Sequence, residues 1–401
     1  LLSASERYAQ ARGDDLAAMG ISSEHVTFDW GKMQAWKQSV VQRLTEGVRR
    51  LLVANHVECV YGTGWFINEQ EVRVEGEHGS LRFKFDACII ATGAEAKPAK
   101  GLPYDGKTVL TPEQALALPE LPTSLSIAGD DYIALELATL FARLGVKVKL
   151  SSPNAQILAG ADPAALRLVQ AGMRKQGITV STNVTMRDIQ ERPLVVSPGM
   201  QHGVAPHVSG LHLNAAGIQI GLHGGIQVDS QQRTSQPNIF AVGDCTDNMP
   251  KLASHAIKQG KVAAEVIAGQ RVQFAPMVTP LVVHTTPEIA MVGYTAEEAA
   301  NLGTEIVSGR FPLAANGRAL TLGTDNGVAQ LIASADGTLL GATLVGPRAG
   351  DLIGQLALAI EMGATLTDVS EIVYAHPGLG ETVLEAAEHA LGKAVHIVNK
   401  G

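Results

Sequence analysis

The 401 residues are 46% hydrophobic and 17% charged, with 31 Lys and Arg against 39 Asp and Glu. That balance suits a soluble α/β protein of about two or three domains, and a net charge of −8 argues against a nucleic-acid partner, which would need a basic surplus. No apolar run approaches the roughly 20 residues of a membrane span, and the three cysteines, Cys59, Cys88 and Cys245, are too scattered for a disulfide framework or a zinc site and fit a reducing cytoplasm.

The chain opens Leu1-Leu2-Ser3 without a methionine, which predicts a lost N-terminal segment and leaves a targeting signal open. Val41, Leu44, Val48, Leu51 and Leu52 recur at helical spacing and predict an amphipathic helix over 33–56. A strand over 56–61, the turn Gly62-Thr63-Gly64, and strands over 71–74, 80–83 and 87–91 follow; the last stops at Thr92-Gly93. A connector marked by proline and glycine runs from 97 to 123. Residues 125–128 read as a buried strand, 131–144 as a helix with Ile133, Leu137, Leu140 and Leu144 on its packing face, and 146–150 as a second parallel strand, together a βαβ unit. A helix over 163–175 and strands over 178–181 and 194–196 come next. Residues 197–225, rich in Gly and His, show no period and predict an irregular loop. The histidines His202, His207, His212, His223 and His255 match no ligand spacing, so no metal is expected. A strand over 238–242 ends at Gly243-Asp244 and a helix covers 252–268. From about residue 276 strands alternate with helices; Thr295 and Glu298 form a capping box, and helices are predicted over 351–362, 367–374 and 381–391.

Several motifs carry a family likeness in a fixed order: Ala241-Val242-Gly243-Asp244, Thr286-Pro287-Glu288-Ile289-Ala290, Phe311-Pro312-Leu313-Ala314-Ala315-Asn316-Gly317-Arg318-Ala319 and Ala375-His376-Pro377-Gly378-Leu379-Gly380-Glu381. In them the chain resembles the dihydrolipoyl dehydrogenases of the pyridine nucleotide–disulfide oxidoreductase family, from residue 1 almost to the end and most strongly after residue 275. The resemblance implies an α/β fold, with FAD/NAD-binding, Rossmann-like three-layer domains and a C-terminal α+β dimerisation domain. On that plan, 1–119 is an FAD-binding remnant lacking its first βαβ unit and 120–200 a shortened NAD-binding-like domain. Residues 201–275 return to the FAD domain, and 276–401 form the dimerisation domain. FAD and NAD are the implied cofactors. A homodimer and the lipoyl acyltransferase core of a 2-oxo acid dehydrogenase complex are the implied partners.

Matched residue by residue, His376 is the expected general base. Imidazole titrates near neutrality and can take a thiol proton, and a carboxylate on its other nitrogen, Glu381, would fix the tautomer. Gly378 and Gly380 replace bulkier residues usual in the family and are expected to loosen this loop. Asp244, with Leu252 and Ala253 following, would accept hydrogen bonds from the flavin's ribityl hydroxyls. Thr92 and Gly93 form a second flavin-side turn, and Gly64 is matched to the adenine contact. For each of these turns the plain alternative is turn chemistry alone.

The nucleotide turn Gly129-Asp130-Asp131-Tyr132-Ile133-Ala134 keeps the first glycine of G-x-G-x-x-G/A and its final small residue, Ala134. The middle glycine is Asp131, whose β-carbon and charge obstruct a pyrophosphate, and both aspartates are expected to cap the helix themselves. Ser151-Ser152-Pro153 stands where an acidic ribose ligand is expected. Gly199 keeps a strand-end turn, but Met200 replaces the usual Arg, and the segment between 185 and 194 is short. Glu136 lacks the lysine it pairs with in the family. These changes argue against NAD and for a unit kept for folding. The family's Cys-x4-Cys pair is also missing, so the expected reaction, dihydrolipoamide and NAD to lipoamide and NADH, should fail for these residues alone. The chain is then a fragment of such an enzyme, a non-catalytic dimeric scaffold, or a flavoprotein of other specificity.

Overall fold

The computed structural model describes all residues except 14, 15, 18, 78, 99–101, 199, 201–203, 249, 400 and 401. They gather into two compact units: Leu1–Lys37, Leu102–Gln201 and Pro276–Gly401 form one, and Gln38–Gly101 with His202–Ala275 the other. No helix among the described residues is long and apolar enough to cross a membrane.

The first unit contains a five-stranded parallel sheet, ordered Val109–Leu110, Leu194–Val196, Ser124–Ala128, Lys147–Ser151 and Thr179–Ser181. Its strand Leu194–Val196 is a continuous apolar run and Ser124–Ala128 is buried from Leu125 onwards because both faces are covered: Leu125, Ile127, Leu194 and Val195 are at most 2% exposed. The helix Tyr132–Arg143 begins where Asp131 accepts the Ala134 amide at 2.8 Å. Leu137, Leu140 and Leu144 are buried as predicted, whereas Ile133 is only half-buried. Leu135 and Phe141 are buried as well, because the helix Leu2–Arg12 and the strand Leu281–Val283 also pack on this helix. Asp162 caps the helix Pro163–Lys175 by accepting the Ala164 and Ala165 amides at 2.8 and 2.9 Å.

The same unit carries a five-stranded antiparallel sheet, ordered Leu281–Val283, Ile289–Gly293, Leu339–Val345, Val328–Ser334 and Ile306–Pro312. The helices Ala349–Glu361 and Glu381–Ala390 pack on it, placing Ile353, Leu356, Val383 and Ala386 against Phe311 and Leu331. This is the α+β arrangement expected of the C-terminal region, and the capping box of Thr295 and Glu298 opens the helix Ala296–Asn301.

The second unit is three-layered. An antiparallel sheet of Thr63–Asn68, Glu71–Gly76 and Gly79–Lys84 contributes Phe66 to a core shared with Ile90, Ile239 and Ala241. The strands Cys88–Ile90 and Ile239–Ala241 pair in parallel in the middle layer. Alternate residues, Phe240 and Val242, face the other way onto Val262, Ala263 and Val266 of the helix Ala253–Ile267.

Two expectations need correction. Residues 56–61 form no strand: His56 turns the chain with φ of 57° after the helix Trp30–Ala54, and pairing starts only at Thr63. That helix forms as predicted, yet Val41, Leu44, Val48 and Leu51 stay at least 48% exposed. Among its described residues the stretch 197–225 is largely irregular, but Val204–Pro206 pairs antiparallel with Ala94–Ala96, and Leu213–Ala216 makes a 3-10 turn.

Candidate active site

His376 lies in the loop between the helices Leu366–Ser370 and Glu381–Ala390 of the first unit. Its Nδ1 is 2.9 Å from Oε1 of Glu381, and the other carboxylate oxygen accepts the Gly378 amide at 2.7 Å. The imidazole side chain is 81% exposed and the carboxylate side chain 24%, so a held acid orients a presented base. Partial burial pushes the Glu381 carboxyl up, but the Gly378 amide and the His376 ring outweigh it and hold it below the usual range.

Asn316 fastens this loop from beneath. Buried in the antiparallel-sheet layer, it donates from Nδ2 to Gly378 O at 3.1 Å while its Oδ1 accepts the Ala319 amide at 2.8 Å and caps the helix Gly317–Thr321. The sequence gives no cue to that role beyond a polar residue in an apolar motif. The glycines do not loosen the loop. A β-carbon on Gly380 would stand 2.9 Å from the Tyr374 ring, and one on Gly378 would lie 2.4 Å from Ala375 O, so both are small because the chain folds tightly there.

In the second unit Ile90 lies opposite Ala241, so the turns after the two parallel strands emerge at one carboxyl end. The structure thereby brings Thr92-Gly93 and Gly243-Asp244 to neighbouring strand ends. Thr92 Oγ1 donates to His207 O at 2.6 Å, and Gly93 O accepts the His207 amide at 2.9 Å. Gly243, with φ of 72°, donates to Gln259 Oε1 at 2.7 Å. Asp244 is half-buried, and its carboxylate accepts no hydrogen bond among the described residues; Lys251 donates to its backbone oxygen at 3.1 Å and to Thr246 O, and attracts the carboxylate through its charge. Leu252 opens the helix Ala253–Ile267 without a side-chain cap. A carboxylate with its hydrogen-bonding capacity open, beside an uncapped helix start, fits a cofactor carrying both hydroxyls and phosphate. Gly64 lies elsewhere in this unit, in the antiparallel sheet opposite Val74, and nothing comes within 3.8 Å of where its β-carbon would be.

All three cysteines also fall in the second unit, and all are free thiols. Cys245 is buried and donates to the carbonyls of Val242 and Ile90 at 3.3 and 3.5 Å. Cys88 shares that core, and burial pushes its thiol up to about 11. Cys59 is exposed. One thiol committed to carbonyls and another held protonated do not make a redox pair. No group of three or more potential metal-ligating side chains occurs among the described residues.

The nucleotide turn lies in the first unit, at the carboxyl ends of three parallel strands. Gly129 is required by close packing: a β-carbon there would be 2.6 Å from Ser197 Cβ and 3.3 Å from Ala134 Cβ. Asp131 alone caps the helix, and its Oδ1 also accepts the Ser197 hydroxyl at 2.5 Å. Asp130 does not cap. It is 6% exposed and accepts from Ser152 Oγ at 3.0 Å and Asn154 Nδ2 at 2.7 Å, at the end of the next strand. A helix start attracts an anion by about 0.3–1 kcal/mol. A second negative charge about 4 Å from a carboxylate costs about 4 kcal/mol at an effective dielectric constant of about 20. Repulsion therefore wins, and the residues present do not fit a pyrophosphate. Glu136 accepts the His284 amide at 3.0 Å, and its burial pushes the carboxyl up. Gly199 lies outside the described residues; Met200 beside it is buried.

The chain matches the family model "Pyridine nucleotide-disulphide oxidoreductase" over residues 2–260 and that family's dimerisation domain over residues 279–387. It is 39% identical over 417 residues to the dihydrolipoyl dehydrogenase of Geobacillus stearothermophilus, an alignment covering 100% of this chain and 88% of the relative. Against that of Halobacterium salinarum it is 38% identical over 398 residues, covering 93% and 83%. Among solved structures it resembles LpdA from Mycobacterium tuberculosis, with a TM-score of 0.87, 24% identity and coverage of 96% and 88%. It also resembles the HOCl-induced flavoprotein disulfide reductase RclA from Escherichia coli, with a TM-score of 0.81, 23% identity and coverage of 95% and 89%. At those identities the structural likeness speaks for the fold alone.

Proposed function

Because this chain belongs to the pyridine nucleotide-disulphide oxidoreductase family, we propose that it is a flavin disulfide oxidoreductase acting on a dithiol of the dihydrolipoamide class. The observation that carries this reading is the His376–Glu381 pair at 2.9 Å. Glu381 accepts a hydrogen bond from Nδ1–H, which leaves Nε2 to accept a thiol proton, and the carboxylate then stabilises the imidazolium. Asp244 would hold ribityl hydroxyls, with Thr92 and Gly93 at the adjoining turn, the first amides of Ala253–Ile267 near phosphate, and Gly64 on the adenine side. FAD bound there supplies a two-electron acceptor. Residues 1–119 and 201–275 would form the flavin domain, 120–200 the nucleotide-type domain and 276–401 the dimerisation domain. In a homodimer His376 would serve the partner subunit, and the exposed Ile372 and Val373 beside its loop support that. The lipoyl acyltransferase core of a 2-oxo acid dehydrogenase complex is the assembly such a dimer would join, in the reducing cytoplasm that its free thiols suit.

The state of the cysteines favours a second reading, a non-catalytic dimeric scaffold, since none of Cys59, Cys88 and Cys245 pairs with another. One experiment separates the two. The FAD-loaded protein is titrated anaerobically with dihydrolipoamide while the oxidised-flavin absorption band is followed. Bleaching that slows by about 10²–10⁴-fold in His376→Ala, with the dimer intact, supports the enzyme reading. A wild-type flavin band that dihydrolipoamide leaves unchanged turns the assignment to the scaffold.

A further inference from the structure

We infer that this chain has closed its own pyridine-nucleotide crevice, so that neither NADH nor NADPH binds at the strand ends where the family holds one. In an open parallel sheet a dinucleotide lays its pyrophosphate on the first helix start and its ribose against the end of the next strand. Here both places are taken by side chains of the turn itself. Asp131 accepts the Ala134 amide at 2.8 Å and the buried Ser197 hydroxyl at 2.5 Å, joining the helix start to the end of the neighbouring strand Leu194–Val196. Asp130 reaches the other way, to Ser152 at 3.0 Å and Asn154 at 2.7 Å, beyond the strand Lys147–Ser151. Its carbonyl also accepts the Leu158 amide at 2.7 Å, and Ile157 and Leu158 are at most 4% exposed, so the segment after that strand is drawn in over the turn.

An aspartate cap alone is common and excludes nothing. What distinguishes this turn is that two successive carboxylates bridge the ends of separate strands, one of them 6% exposed. A dinucleotide would have to break those bonds and also meet the charge. The lysines of the adjoining strand do not offset it: Lys149 pairs with Glu191 at 2.5 Å, and Lys147 stands at the strand's opposite end. Met200 adds only a buried apolar side chain. A pyridine nucleotide is therefore not the electron partner that the parallel-sheet domain of this chain receives.

This inference does not depend on the dithiol proposal, since it is read by binding rather than turnover. NADH and NADPH are titrated into the full chain by calorimetry and by nucleotide fluorescence, for the wild type, Asp131→Asn and Asp131→Gly. Asp131→Asn keeps an acceptor for the helix start and removes the charge, so it should melt like the wild type and report charge alone. The wild type should show no saturation up to about 1 mM, and each variant should bind NADH about tenfold or more tightly than it does. Saturable micromolar binding by the wild type overturns the inference. So does an Asp131→Asn protein that melts normally and gains no affinity.

Discussion

Glu381 couples the candidate base to the stability of the fold. Its carboxyl is held below the ordinary glutamate value in the folded protein, so the unfolded chain binds more protons in acid. The resulting stabilisation is fully present above the unfolded value of about 4.3 and is lost as pH falls through the lower, folded value. Glu381→Gln removes it. The melting midpoints of wild type and variant should therefore differ above about pH 5 and draw together as pH falls through the lower, folded value; a gap that stays constant with pH would refute the coupling. At this scale the sequence was readable where partners are near neighbours. His376 and Glu381 are five positions apart and sit in one motif. Asn316 was not readable as their support, because its partner Gly378 is 62 positions away. Asp130 misled for a similar reason: its side chain answers to donors just beyond the next strand instead of to the helix beside it.

Helices whose caps lie in the sequence were legible as elements. Asp131, Asp162 and Thr295 each mark a start that the structure keeps. Strand pairing carries no such local mark, which is why 56–61 reads as a strand in sequence and pairs with nothing in the fold. Contacts between elements are still less visible, and one of them sets the position of the dyad. The helix Glu381–Ala390 lies directly on the strand Ile306–Pro312 at Gly309, where a β-carbon would be 1.8 Å from Ala386 O and 2.8 Å from Ala390 Cβ. Ala386 lies inside that helix and Ala390 ends it, so Ala386 cannot give way without the helix. Gly309→Ala should lift this helix, at a cost of about 1–3 kcal/mol, and lower the melting midpoint by about 2–4 °C for each kcal/mol. Flavin reduction by dithiol should weaken with it, because Glu381 opens the displaced helix. A variant that melts with the wild type would show that the contact is relieved elsewhere.

Across the whole molecule, apolar patterning tells which residues want cover but not which receive it. The stripe of Val41, Leu44, Val48 and Leu51 reads as a packing face and is left exposed, while the antiparallel-sheet layer buries its own apolar set almost completely. Apolar residues next to its helices stay uncovered. Val373 is 96% exposed, Val398 92%, Val395 75% and Met362 76%, and Val373 precedes His376 by only a few positions. Gathered apolar exposure marks an interaction surface, and each of these residues falls within or beside the segment matched to a dimerisation domain. Val373 makes a clean test, since a side chain that exposed contributes almost nothing to the folding of its own subunit. Val373→Asp should therefore leave the far-ultraviolet circular dichroism unchanged and halve the mass measured by light scattering. If His376 works on the partner subunit, the same substitution should abolish dithiol bleaching of the flavin although His376 and Glu381 are both intact. A Val373→Asp protein that stays dimeric would move the interface away from this loop, and the base would then have no neighbour to serve.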